Sequence, residues 1–562
     1  MPEAAGGKET SASDPMDQDK LFPTLSAAQI ARIAAHGRRR AVAPGDVLYD
    51  VGDRSAACFV VVSGAIQVLR PAVKDETLIV TLTPGQFSGE TNVLTGRRSI
   101  ARLRVSEPGE VLEVSREQLL NVIQTDAELS DILMRTFILR RAELINRGYG
   151  DVVLIGSMHC SGTLRVKEFL TRNGHPFVYI DLDHDSDAQE TLDRFHVSAA
   201  DVPVLICGGS TVLRNPDNQE IANCLGFNDA VDRTHVRDLV VVGCGPAGLA
   251  AAVYGASEGL DVLVLEANVP GGQAGSSSRI ENYLGFPTGV SGDILTARAY
   301  AQAQKFGAEI VVAKGATEIS CARHPYGVKM DDGTQVPARA VIIATGAQYR
   351  RPALERLSQF EGSGIYYAAS AMERQLCVGE EVAVVGGGNS AGQAAVFLAE
   401  KCSHVHVLVR GNGLADSMSR YLIRRIDDNP RIGLRTQTEI VELEGNGHLE
   451  RIQWHARPGG ATESRNIRHV FMMTGAVPNS GWLSGCVAAD EKGFIKTGPD
   501  LTHEDLLAAH WPLTRAPYLL ETSRPGVFAV GDVRAGNIKR VASAVGEGSI
   551  AVAFVHQVLQ TS

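Results

Sequence analysis

Hydrophobic positions change their period several times along the chain. From Ala43 they fall in short runs, Val47-Leu48-Tyr49, Phe59–Val62, Ile66–Leu69 and Leu78–Leu82, parted by Pro44-Gly45, Gly52-Asp53, Ser63-Gly64 and Pro84-Gly85. Short strands with turn residues between them predict a β-barrel or sandwich. Over Glu117–Arg141 the period becomes helical, with Leu119, Leu120, Ile123, Leu129, Ile132, Leu133, Phe137 and Ile138 on one stripe. Residues 151–228 then read as strand Val152–Ile155, helix Leu164–Arg172, strand Phe177–Asp181, helix Asp187–Phe195 and strand Val202–Cys207. That order predicts a small separate α/β unit. From Asp238 strands and helices alternate, with two glycine-rich turns about 140 residues apart, which predicts two nucleotide folds.

A chain of 562 residues exceeds what one core holds, so at least three domains are expected. Hydrophobic residues at 44%, charged residues at 21% and a net charge of -10 indicate a globular protein and disfavour a nucleic-acid partner. Residues 1–20 are polar and predict a disordered tail. They show no leader pattern, and no run of about 18 apolar residues follows, so the expectation is a cytoplasmic protein without a membrane partner. The nine cysteines include no Cys-x-x-Cys and no metal-ligand spacing. Most are expected to be buried, reduced thiols, and no metal site is read.

Strand Leu239–Val242 runs into Gly243-Cys244-Gly245-Pro246-Ala247-Gly248 and a helix of small residues. In such a turn the first Gly permits the bend, the second lets backbone approach a pyrophosphate, and the third packs helix on strand. The next strand ends in Glu266, placed to accept from both ribose hydroxyls of a dinucleotide. The second turn, Gly386-Gly387-Gly388-Asn389-Ser390-Ala391, is followed at the equivalent offset by Val409 and Arg410 rather than a carboxylate. A guanidinium suits a 2′-phosphate, so NADPH is expected over NADH.

Further motifs are Gly271-Gly272-Gln273, Ile280-Glu281-Asn282-Tyr283, Ala344-Thr345-Gly346, Thr474-Gly475 and Gly526 to Asp532. With both glycine turns they give 238–559 a resemblance to the thioredoxin reductase family. The resemblance implies an FAD domain of residues 235–360 and 478–562, interrupted by an NAD(P)H domain over 361–477. FAD would be held by Gly243, Gly245, Pro246, Ala247, Gly248, Glu266, Gly272, Gln273, Asn282, Thr345, Gly346, Gly531, Asp532, Val541 and Ala542. NADPH would be held by Gly386, Gly388, Asn389, Ser390, Ala391, Arg410 and Gly475. The family relationship also implies that the NAD(P)H domain rotates during turnover.

The chain departs from the family where its redox Cys-x-x-Cys would stand, for Ala368 and Ala371 occupy both sulfur positions. One Arg of the family's paired 2′-phosphate signature is also missing beside Arg410. Cys377 would replace the lost thiol only if its loop brings it to the flavin; otherwise it is a packing cysteine.

In 150–230 a strand leads through Cys160 into a helix, and Val202-Pro203-Val204 opens a later strand. This resembles the glutaredoxin and thioredoxin family, which implies Cys160 as an attacking thiol and Pro203 as a cis residue facing it. Thiols at helix N-termini are favoured as thiolates. Thr163 stands where a resolving Cys would be, so the domain is either a monothiol relay or a docking platform.

In 21–147, Pro44-Gly45-Asp46, Gly52-Asp53, Pro84-Gly85 and Gly89-Glu90 resemble the turns of the cyclic nucleotide-binding domain. The resemblance maps the ribose-binding carboxylate to Glu90, after Gly89, but puts Ser99 where the phosphate-binding Arg belongs. Arg98 reaches that site only if the Thr95–Arg98 loop is remodelled. The domain is then either a cyclic-nucleotide sensor or a degenerate contact module.

The whole predicts a multidomain protein: a β-roll with helices, a small thioredoxin-like α/β unit, then tandem Rossmann-like FAD and NAD(P)H domains. Its expected function is FAD-dependent NAD(P)H oxidation, with a disulfide, a small redox protein, a quinone or oxygen as acceptor. The alternative is a flavin or nucleotide sensor without meaningful turnover. A homodimer is expected from the resemblance.

Overall fold

A computed structural model describes residues 19–561 except 55–56, 71–75, 148–151, 159, 184–200, 209–210, 229, 278, 322, 457–458, 461 and 484. Most of the predicted tail and all of the helix predicted over 187–195 lie outside the described residues.

The first domain is a five-stranded antiparallel roll. Arg38–Val42, Arg102–Val114, Cys58–Arg70 and Thr77–Leu82 lie side by side, and Val47–Tyr49 pairs with Arg102–Val114. Two helices follow, each with a side-chain cap: Ser115 and Gln118 form a capping box on Arg116–Thr125, and Asp126 caps Ala127–Asn146. Phe87, Leu119, Ile123, Leu133 and Phe137 join roll and helices in one core.

The second unit has four strands in the order Val178–Asp181, Val152–Gly156, Val204–Cys207, Thr211–Arg214. Only the first pair is parallel; Val204–Cys207 runs antiparallel to Val152–Gly156. The unit therefore differs from a simple βαβαβ repeat, and Thr211–Arg214 and the helix Asn218–Leu225 complete it. Val202–Pro203 is cis, as expected. The Pro203 ring packs at the first turn of helix Ser161–Arg172, where a Cβ on Gly162 would come within 2.9 Å of it.

The third body contains two parallel sheets. In one, Glu309–Val312, Val262–Glu266, Arg237–Val242 and Gln335–Ile343 run parallel, Val527–Ala529 adds to Gln335–Ile343, and Ala316–Ser320 and Tyr326–Met330 form an antiparallel extension. Leu239, Val241, Leu263 and Val264 are fully buried, as strands covered on both faces must be. The other sheet is five-stranded and parallel, centred on Glu381–Val385. The chain passes between these domains along Ala347–Tyr349 and Ala476–Pro478, which pair antiparallel as a two-stranded hinge. Helix Val541–Thr561 is long and apolar enough by composition to cross a membrane. In this fold its Ala551, Val552 and Val555 are buried in the core shared with Pro246–Ser257.

Among the described residues Cys321 and Cys486 form a disulfide across 165 residues of sequence.

Candidate active site

A cleft of about 960 Å³ opens at the C-terminal end of the first parallel sheet. Its floor is the Gly243–Gly248 turn. A Cβ on Gly243 would lie 2.4 Å from the Ala344 carbonyl oxygen, and one on Gly248 only 1.9 Å from that of Gly243. Strand, turn and helix can close to this extent only with glycine. Gly245, by contrast, faces only the Gly272 Cα, at 3.8 Å, and caps helix Pro246–Ser257 with its backbone exposed to the cleft. Helix N-termini with open amides suit a pyrophosphate. Pro246 is the first residue of that helix, and Ala247 packs beneath it in the core.

Glu266 ends its strand buried at the cleft wall. Its carboxylate accepts from the amides of Cys244 at 2.7 Å and Asn268 at 2.8 Å. Burial raises its pKa, and these amides work against that shift. Gln273 donates its side-chain amide to the Ala347 carbonyl, and Thr345 exchanges hydrogen bonds with Asn479. All of these residues line the cleft, with Gly272. Gly346 adjoins them with φ +65°. Buried Ser291 Oγ and Arg172 Nε, also on cleft-lining residues, have no hydrogen-bond partner. The glycine cradle, the buried carboxylate and these orphaned polar atoms fit FAD.

Asp532 and Gly531 form a short turn ahead of helix Val541–Thr561, which starts at Val541 and Ala542. The Gly531 amide donates to Glu547, and burial raises the Asp532 pKa. Asn282 is placed differently from the expectation. The Ile280–Val290 bridge closes a loop that holds Asn282 exposed and away from the cleft lining.

In the second sheet the Gly386 turn is equally tight, for a Cβ there would meet the Met473 carbonyl oxygen at 2.2 Å. Gly388 caps helix Asn389–Leu398, whose first residue accepts from the Ser419 amide at 2.7 Å; Ala391 is buried beneath. Ser390 lies in the first turn of that helix, and Tyr349 of the hinge packs against the core of this domain. Arg410 is exposed just past strand His404–Leu408, and Gly475, with φ +92°, lies open beside the hinge. Arg410 forms no ion pair among the described residues. Open glycine backbone at a helix N-terminus beside a free guanidinium fits NADPH.

Cys377 does not reach the cleft. The helix Ala371–Leu376 turns it into the core, where its thiol donates to the Glu373 carbonyl at 3.1 Å and lies against Cys402. The Cys402 thiol and burial hold it protonated. It is a packing cysteine. Among the cleft-lining residues Cys244 alone carries a thiol, which burial and Glu266 raise well above its ordinary pKa.

Sequence reading gave no sign of how the small α/β unit sits on the cleft. Cys160 caps helix Ser161–Arg172, and the following residues Ser161, Leu164, Arg165 and Glu168 form part of the cleft wall. A Cβ on Gly362 would lie 2.6 Å from that of Ser161. The helix start thus faces Ala368, Ser370 and Glu373 across the cleft, the segment that lacks the Cys-x-x-Cys. Burial raises the Glu373 carboxyl, against the Ser370 donors that stabilise its charge. At the other end of the helix Arg172 donates to the carbonyls of Pro270 and Gly272.

In the β-roll, Gly89 accepts from Arg140 at 2.8 Å and Glu90 pairs with Arg141 at 3.3 Å. Ser99 is buried, its hydroxyl bonded to the Ala101 carbonyl. Arg98 does not turn into the roll. It donates to the Cys224 carbonyl of the neighbouring unit at 3.3 Å.

A family model described as pyridine nucleotide-disulphide oxidoreductase matches residues 237–548, and one described as cyclic nucleotide-binding domain matches 39–126. NADPH-dependent thioredoxin reductase 3 of Arabidopsis thaliana is 30% identical over 372 residues, 63% of this chain and 66% of that protein. The thioredoxin reductase of Ureaplasma parvum is 30% identical over 325 residues, 57% of this chain and 96% of that one. Among solved structures, Lactococcus lactis thioredoxin reductase in its FR conformation matches with a TM-score of 0.52 at 25% identity, covering 58% of this chain and all of that one. Thioredoxin reductase of T. acidophilum matches at 0.51 and 27%, covering 58% and 99%.

Proposed function

The chain belongs to the pyridine nucleotide-disulphide oxidoreductase family, on its thioredoxin reductase branch, and from that premise we propose that its electrons leave through Cys160. It is an NAD(P)H-dependent flavoprotein oxidoreductase with a cyclic nucleotide-binding fold at its N-terminus. When bound, FAD supplies the two-electron exchange between nicotinamide and acceptor. The Gly243–Gly248 turn and Glu266 hold FAD, and the Gly386–Ala391 turn with Arg410 holds NADPH.

The observation that carries the acceptor reading is the docking of helix Ser161–Arg172 against the segment where the family's thiols are missing. A thiolate at Cys160 attacks an acceptor disulfide, forming a mixed disulfide and releasing one acceptor thiol. Two electrons supplied by NAD(P)H, with two protons, then reduce the mixed disulfide, restoring the Cys160 thiol and freeing the second acceptor thiol. Pro203, packed at the first helical turn, shapes the face that the acceptor meets. The test is anaerobic reduction by NADPH followed by disulfide, ferricyanide and air in turn. Cys160→Ser should abolish reoxidation by disulfide and leave ferricyanide reduction intact; unchanged disulfide turnover removes Cys160 from the path.

A second reading is favoured by the cleft itself, whose one lining thiol is held protonated. In that reading a quinone, oxygen or a small redox protein accepts directly, and reoxidation by air would be fast in both proteins. A cytoplasmic homodimer, with the β-roll as its regulatory part, completes the proposal.

A further inference from the structure

Within the β-roll is a cavity of about 120 Å³, walled by Val68, Val80, Leu82, Val93, Ile100 and Leu144. The wall is mostly apolar, with Glu90, Arg97, Glu143 and Arg147 at it as well, and Arg140 is buried among these side chains. Arg140 donates Nε to the Leu21 carbonyl and Nη1 to the Gly89 carbonyl, each at 2.8 Å, and its guanidinium lies 4.8 Å from the ring centres of both Phe22 and Phe87. Its Nη2 is buried with no hydrogen-bond partner, and Arg140 is only 7% exposed. Among the described residues no carboxylate comes within ion-pairing distance of it. Leaving a buried donor unpaired is unfavourable, more so when it is charged, so such a group points to a missing acceptor.

The usual partners of a cyclic nucleotide are spent or lacking. Glu90 is held by Arg141, and the Ser99 hydroxyl by Ala101. Arg97 and Arg98 reach out to Asn173 and Cys224 of the neighbouring unit. The space is also small, since a dry cavity of roughly 150 Å³ accommodates a single benzene ring. An apolar wall with one unsatisfied guanidinium suits a compact hydrocarbon body bearing one anionic group.

We propose that this cavity is a receptor site for a small monocarboxylate with a ring-sized apolar body, whose carboxylate completes the Arg140 fork, and that it does not take a cyclic nucleotide. The ligand would be felt outside the roll, because two charged groups at the cavity are tied to the end of the helix that carries Cys160. Arg97, which also lines the cavity, bonds Asn173, and Arg141, the partner of Glu90, donates to the Gly174 carbonyl.

The test is calorimetric titration of the full-length FAD-loaded protein with benzoate, phenylacetate and cyclohexanecarboxylate, and separately with cAMP and cGMP. At least one carboxylate should bind, with its Kd raised about tenfold or more in Arg140→Met. Arg140 also supports the backbone of the roll, so a second variant, Ala101→Phe, fills the cavity while leaving the guanidinium in place and should abolish binding without loss of flavin. The proposal is overturned if a cyclic nucleotide binds while the carboxylates do not, if carboxylate binding survives in both variants, or if no carboxylate binds at millimolar concentration.

Discussion

Arg97 donates from Nη1 to the backbone oxygen of Asn173 at 2.9 Å, fastening the β-roll to the end of the helix that starts at Cys160. The same guanidinium donates to the Tyr300 hydroxyl of the FAD domain at 2.9 Å and lies 4.2 Å from the centre of the Phe227 ring. One buried side chain therefore joins three domains. Arg97→Ala leaves the Asn173 carbonyl without this donor and opens space beside Phe227, at a cost of about 2–4 kcal/mol. Calorimetry should show the β-roll transition separating from the rest and shifting to lower temperature. A single unshifted transition would show that the contact is not holding the domains together.

Arg410 is the residue expected to read the 2′-phosphate. Arg410→Ala should raise KM for NADPH about tenfold, as expected for loss of an exposed charge-assisted contact, and leave KM for NADH unchanged. Steady-state kinetics with both nucleotides and ferricyanide as acceptor checks this without depending on Cys160. Equal changes for the two nucleotides would move the phosphate contact elsewhere.

Acid should unpick a contact at the edge of the FAD domain. Burial alone would raise the Asp332 carboxyl, but Lys314 and the Thr334 donors overcome it and hold the group at about 2. A carboxyl depressed in the folded state adds stability that is present above its unfolded value near 4 and is lost as the pH falls through about 2. Allowing for solvent screening, the share is about 1 kcal/mol. Asp332→Asn should therefore lower Tm by about 2 °C at pH 7, and the gap should narrow below pH ~4. A gap that widens with acid would contradict the sign.

The glycine turns were legible because their backbone tolerates nothing else at Gly243, Gly248 and Gly386, where a Cβ would strike a carbonyl. Glu266 was legible because strand length fixes where a strand-ending carboxylate falls. Cys377 was not, since spacing from a strand does not say which way a short helix turns its last residues. Asn282 and Arg98 were misplaced for a related reason: each sits in a loop that makes remote contacts, the Ile280–Val290 bridge for one and the Cys224 carbonyl for the other. The Cys321–Cys486 bond spans 165 residues, and pairing at that range has no local signature. The docking of Ser161 on Gly362 is likewise a relation between domains, invisible to any periodicity.

Arg425 of the NAD(P)H domain pairs with Glu281 of the FAD domain at 2.6 Å, with Arg279 3.8 Å from the same carboxylate. This pair ties the two nucleotide domains in their observed orientation. The family resemblance implies that this domain rotates during turnover, and the tie would oppose that step. The arginine is half exposed, which limits the pair to about 0.2–1 kcal/mol, and salt weakens it. That energy corresponds to roughly a 1.4- to fivefold change in the balance between orientations. Turnover of the wild-type protein should consequently vary with ionic strength by about that factor, and Arg425→Ala should flatten the dependence. Superimposable salt profiles for the two proteins would mean that the ion pair does not govern the motion.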